Sequence, residues 1–174
     1  MKTELKAKFL QHLNQRRQDK GFTLIELLVV IISIGFLSAI SLPSFLNQAN
    51  KAKQAEAKQY VGSMNRSQQA KFAENGIFVT DTVEALGMGI KTQTTNYTYK
   101  VSGSGTTDAK NTADANNTAT LRSYAGANVV GGTGTDAKTT IGVLCEFSGT
   151  IEAMDPTKQG PNANCGGSGT EVSK

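Results

Sequence analysis

From Phe22 to Leu42 the chain runs for 21 residues with a single charge, Glu26. As a helix this run is roughly 31 Å long, about the thickness of a bilayer's hydrocarbon core. It predicts a membrane span, and the rest of the chain has to be arranged around it. Lys and Arg dominate the preceding side, which places the N-terminus in the cytoplasm and the remainder outside. A secretory signal fits poorly, since its apolar region would run ~7–15 residues and end at a small-residue cleavage site. Here the run is longer and continues without a turn into a helix-forming segment. Any cut is therefore expected before it, not after it.

Glu26 is the unusual residue in that span. An ionised acid deep in a membrane costs ~2.5–3.5 kcal/mol on insertion scales, and less near the end of the span where water and headgroups reach it. One reading is a tolerated interfacial acid in a plain anchor. The other requires a partner cation. Cleavage between Gly21 and Phe22 would create one, the new α-amine of Phe22, four residues away on the same helix face. The same pair could form between neighbouring subunits of a bundle, where it would set the axial register of one subunit against the next. The carboxylate then reads as an assembly device.

Charge is distributed in a way that bears on partners. Residues 1–21 hold six basic side chains (Lys2, Lys6, Lys8, Arg16, Arg17, Lys20) against Glu4 and Asp19. Of the chain's 18 basic and 14 acidic residues, 12 of each remain from position 22 onward. Without the leader the protein is near neutral, so charge does not indicate DNA binding, although a local basic patch is compatible with a net charge near zero.

Cys145 and Cys165 are the two cysteines, 20 residues apart. They are either unrelated free thiols or, if the distal part lies outside the cytoplasm, a disulfide. A bridge of that separation would contribute ~3 kcal/mol in the chain-entropy model. A metal site is not expected: there is no CxxC spacing, and the lone His12 lies in the leader. Nor is catalysis or a cofactor, since the part beyond the span has no histidine for a triad and the chain has no GxxxxGK[ST] phosphate loop.

Residues 44–74 are rich in Ala, Gln, Lys and Glu, and Ala57, Tyr60, Val61 and Met64 share one helical face. This predicts an amphipathic half-helix packed on a sheet, stopping near Asn75-Gly76. TDTVEAL, within 80–86, carries a capping pattern for a short helical turn. Strand candidates follow at 97–101, 121–124, 127–130 and most clearly at 139–147, where Ile141, Val143 and Cys145 alternate on one face. Residues 150–154 could pair with that strand across Ser148-Gly149. Residues 102–120 (SGSGTTDAKNTADANNTAT) are polar and low in complexity and read as an exposed surface loop. The elements together predict an α+β protein, a long N-terminal helix packed on a small antiparallel sheet.

The stretch KGFTLIELLVVIISIGFLSAISLP closely resembles the class III signal of type IV prepilins and related pseudopilins, in Gly21, Phe22, Glu26 and Pro43. The resemblance is strong over residues 15–72. It implies a leader, 1–21, removed after Gly21 by a membrane prepilin peptidase that also methylates the amine of Phe22. S-adenosylmethionine would be that enzyme's cosubstrate, not a cofactor of this chain. Residues 22–43 would anchor the subunit in the inner membrane and later pack in a filament core. A platform protein and motor ATPases would drive assembly of a homopolymeric surface filament serving motility, adhesion and DNA uptake. The helix would kink or melt between Gly35 and Pro43. Residues 75–96 would connect helix to sheet within a head, 75–174. A Cys145–Cys165 disulfide would bound a C-terminal region used for subunit contacts. A type II secretion pseudopilin and a minor pilin are the alternatives. The first often carries a calcium site, for which no clustered Asp ligands are seen.

Overall fold

The computed structural model describes residues 22–131, 139–149, 151, 165 and 169–173. It divides into two units, Met1–Leu46 and Asn47–Lys174. Helix α1 runs from Leu24 to Asn75, 52 residues, with Pro43 inside it. It begins where Thr23 caps it and ends where Gly76, at φ 73°, donates its N–H to the carbonyl of Phe72 (2.8 Å). A left-handed glycine immediately after the last turn is the stop that Asn75-Gly76 predicted.

The part of α1 in the first unit has its apolar side chains in the open: Phe22, Leu24, Ile25, Phe36, Ile40 and Phe45 are all more than two-thirds exposed. The helix is unbroken across Gly35 and Pro43. The single chain therefore shows no melted stretch there, because each turn on either side of the proline keeps enough backbone hydrogen bonds to hold the helical path.

In the second unit five strands form one antiparallel sheet in sequence order: β1 (Tyr97–Ser102), β2 (Asp108–Ala115), β3 (Ser123–Gly131), β4 (Thr139–Phe147) and β5 (Thr170–Ser173). Registers such as Tyr99↔Ala113, Ala113↔Tyr124 and Tyr124↔Glu146 define the face toward α1. Against it α1 buries Ala57, Val61 and Met64, which with Tyr97, Tyr99, Tyr124, Val83 and Leu86 form the main core. The opposite face carries a second cluster: Ala125, Ala127, Val143, Cys145 and Phe147 are covered by Ile151 and Cys165. Val143 and Cys145 thus share a face, as their alternation predicted, and it is the face turned from the helix.

Three expectations need correction. Residues 102–120 are not one exposed loop, because 108–115 form β2, an inner strand paired on both sides. Its small Ala113 lies in register between Tyr99 and Tyr124, leaving their rings room, and its buried Asp108 and Asn111 side chains find partners. Ser104 and Thr107 hydroxyls donate to Asp108 Oδ1 at 2.7 and 3.0 Å. The runs at 121–124 and 127–130 are not separate strands; Ser123–Gly131 is continuous, and Leu121 is buried just before it. The outer partner of β4 is β5, not residues 150–154. Of the latter, Ile151 is buried outside any strand, and the others lie outside the described residues. The predicted turn near TDTVEAL is a short 3-10 turn, Glu84–Leu86.

Candidate functional site

The N-terminal site begins with the capping of α1. Thr23 N–H and the Thr23 hydroxyl both donate to Glu26 Oε2 at 2.8 Å, and Glu26 N–H donates back to Thr23 Oγ1 at 3.3 Å. This is a capping box: each residue satisfies an orphan donor of the other at the first turn. The single carboxylate of the span therefore has partners within its own chain. Sequence reasoning assigned Glu26 an amine partner and missed Thr23, although the T-x-x-E spacing before an apolar run was its signal. Phe22 stands beside the box, 75% exposed. Gly21 and the cleavage junction lie outside the described residues.

Beyond the box, none of the residues in the most apolar stretch of α1 is buried. By length and composition the helix can cross a membrane. So large an apolar surface requires lipid or other apolar helices around it. Gly35 meets nothing within 4 Å of where a Cβ would lie, so the isolated chain leaves room there for another element.

The helix–sheet seam of the second unit has two halves. One is aromatic, with Tyr60, Tyr99, Tyr97 and Tyr124 in successive ring contacts of 5.4, 6.4 and 6.5 Å. The other is an amide network. Asn111 and Asn128 donate to Asn65 Oδ1 at 2.8 and 3.1 Å, and Asn65 donates to the Val143 carbonyl at 3.0 Å. Gln68 donates to Asn111 Oδ1 at 3.1 Å and exchanges hydrogen bonds with the backbone of Val79. No sequence signal marked this network, since Asn and Gln on a helix or strand read as solvated.

Glu146 locks the seam at the aromatic end. It accepts from Tyr124 at 2.9 Å and pairs with Arg122 at 2.9 Å and Lys58 of α1 at 3.3 Å. Burial alone would push its carboxyl up. The hydrogen bonds from Tyr124 and Lys58 and the charges of Lys58 and Arg122 outweigh that, and its pKa lies below the ordinary carboxylate value. On the far face, Cys145 and Cys165 form a disulfide with Cα atoms 5.5 Å apart, tying residue 165 to β4. Among the described residues no group of three His, Cys, Asp or Glu side chains is placed to hold a metal.

Comparison with known proteins places these features. Residues 54–166, more than half the chain, match the family of type IV pilin-like G and H proteins. Residues 16–42, the leader end and capped apolar run, match the prokaryotic N-terminal methylation motif. The chain is 34% identical over 97 residues to the type IV major pilin protein PilA of Myxococcus xanthus, covering 55% of this chain and 43% of that protein. It is 29% identical over 85 residues to the type IV wide pilus major component PilA4 of Thermus thermophilus, covering 49% and 65% respectively. It is 46% identical over 44 residues to the type II secretion system core protein G of Pseudomonas aeruginosa, 25% of this chain and 31% of that protein. The chain thus spans less than two thirds of the length of each of these relatives. No solved structure is a significant match. A capped apolar helix with the methylation motif, continued into a seam with a five-stranded sheet over the matched region, makes this chain a member of the type IV pilin-like G and H family.

Proposed function

We propose that this chain is the structural subunit of a type IV pilus, acting by polymerising rather than by catalysis. The observation that carries the reading is the capped helix of exposed apolar side chains, Leu24 to Leu46, with exposed Phe22 just before it, in a chain that matches the methylation motif. Such a surface is stable in lipid and equally stable against copies of itself, so transfer from a bilayer to a helix bundle need not cost much. Cleavage after Gly21 and methylation of Phe22 by a prepilin peptidase supply the mature N-terminus. A basic leader orients the unassembled subunit with its N-terminus in the cytoplasm and its head outside the inner membrane. The disulfide between Cys145 and Cys165 suits an oxidising exterior. An assembly platform and motor ATPases complete the machine. The filament would serve motility and adhesion, and DNA uptake by the same retraction.

In this reading Glu26 has two partners at different stages. Before assembly Thr23 holds its carboxylate at the helix start. In the filament the α-amine of a neighbouring subunit's mature first residue competes for it, and fixes axial register. Melting between Gly35 and Pro43 then belongs to the packed filament, where neighbouring helices compensate for the lost helical bonds.

A second reading is a type II secretion pseudopilin, favoured by the 46% identity to core protein G. Deletion of the gene separates the two. Loss of surface filaments, restored by the wild-type copy, supports the pilus subunit. Filaments undiminished by the deletion, with secretion of folded substrates abolished, would support the pseudopilin.

A further inference from the structure

The end of α1 holds a reactive dipeptide in a protected conformation. Asn75-Gly76 is the one Asn-Gly pair of the sequence. Asparagine before glycine readily loses its side-chain amide, because the next backbone nitrogen attacks Asn Cγ and glycine has no Cβ to hinder it. Asn75 is exposed, so water reaches it, and it is the last residue of the helix.

The fold opposes the reaction in two ways. The attacking atom is the Gly76 nitrogen, and its N–H is engaged by the Phe72 carbonyl at 2.8 Å. The five-membered ring closes only when ψ of Asn75 turns far from the helical value of about −42°. Both conditions require the last turn of α1 to open. That turn is pinned from beyond. Phe72 and Phe78 stack with ring centroids 4.5 Å apart, and Phe78 is buried. Phe78 N–H donates to the Gly105 carbonyl at 2.7 Å, and Val79 N–H donates to Gln68 Oε1 at 2.8 Å. Crowding is not the obstacle, since nothing lies within 4 Å of where a Cβ on Gly76 would stand. Hydrogen bonds and one ring contact hold the pair closed.

We propose that Asn75-Gly76 is a deamidation site gated by this helix cap, and that conversion weakens the cap that protected it. The Gly76 nitrogen forms a bond to Asn75 Cγ and gives its proton to water or hydroxide, while the side-chain nitrogen leaves as ammonia. Water then opens the cyclic imide at either carbonyl, leaving aspartate or isoaspartate at position 75. No electron is transferred, and water is the only co-reactant. Both products suit the helix end poorly. A carboxylate there meets the negative end of the helix dipole. No basic residue stands in the last turn, and Lys71 is already paired with Glu74 at 3.6 Å. Isoaspartate also adds a methylene to the main chain, which moves the Gly76 N–H away from the Phe72 carbonyl. The closed cap and the intact amide thus maintain each other, and the first opening events convert the site irreversibly.

The test uses the full chain in detergent at mildly alkaline pH, incubated folded or in urea. Peptide mass spectrometry follows deamidation and isoaspartate at Asn75, with Asn116 and Asn117 as internal references. Folded protein should convert at Asn75 roughly tenfold or more slowly than the urea-treated chain, as a site reached only by local opening must. Phe78→Leu, which keeps an apolar side chain but removes the ring contact, should speed conversion in the folded protein. Asn75→Asp should raise amide hydrogen exchange from Gly76 to Val79 while leaving β3 amides at the wild-type rate. Equal rates with and without urea would overturn the gating. No isoaspartate at position 75 in urea would overturn the site. Unchanged exchange in Asn75→Asp would overturn the weakening of the cap.

Discussion

Asn65 of α1 lies directly over Gly126 of β3: a Cβ added at Gly126 would come within 2.6 Å of Asn65 Cγ and Nδ2. The backbone of the strand is the floor on which the amide network stands. Asn65 accepts from Asn111 and Asn128 and donates to Val143, so one helix residue bonds side chains of β2 and β3 and the backbone of β4.

A methyl group at 126 must displace that side chain. Gly126→Ala is expected to destabilise the head by ~1–3 kcal/mol, as overpacking does. Thermal unfolding of the full chain in detergent measures it. Wild-type stability in that variant would mean the helix can lift from the sheet at little cost.

Glu146 makes stability depend on pH. Its folded pKa is lowered from the ordinary value of 4.5, so its contribution is present above that value and is lost as pH falls through the folded pKa. Unfolding midpoints should be flat from neutral pH down to about 5 and fall below it. Glu146→Gln should flatten part of that acid limb and cost less than about 1 kcal/mol at neutral pH, since its partners are partly exposed. A steeper acid limb in the variant would contradict the pairing.

Reduction should loosen the far face of the sheet. The bridge closes a separation of 20 residues and carries Cys165 onto β4. Cys145→Ser is expected to lower stability by ~3 kcal/mol and to expose Ala125 and Ala127. Limited proteolysis with and without reductant reads this directly, and equal resistance would count against it.

Removal of the Glu26 carboxylate separates two of its roles. Glu26→Ala loses the capping box, worth ~1 kcal/mol at the helix start, yet makes the span more apolar. Membrane insertion should persist or improve while assembled filaments are lost. Thr23→Ala removes the hydroxyl but leaves the carboxylate, so it should retain assembly better than Glu26→Ala. Normal piliation in Glu26→Ala would exclude the assembly role.

Several of these elements are legible in the residues themselves. Phe22–Leu42 shows its length and apolarity, Asn75-Gly76 stops the helix, and TTIGVLCEF alternates as an inner strand must. The DAKNTADA segment carries no such mark, because its strand is held by ladders on both sides and by small alanines beside tyrosines. Those are properties of its neighbours, not of its own composition. The amide network is hidden for the same reason: Asn65 and Gln68 look solvated until Asn111, Asn128 and Gly126 are brought beneath them. β5 is four residues long and meets β4 through a register shift, too short a pattern to read. At Glu26 the capping partner stands three residues back in the chain, a spacing easily overlooked beside the demand of a membrane acid for a cation.

The most direct test of the pilus-subunit claim is the intact mass of this protein in filaments sheared from the cell surface. The expected species begins at Phe22, carries one methyl group there and lacks two hydrogens for the Cys145–Cys165 bridge. Protein still carrying the residues before Phe22, confined to membranes, would contradict it.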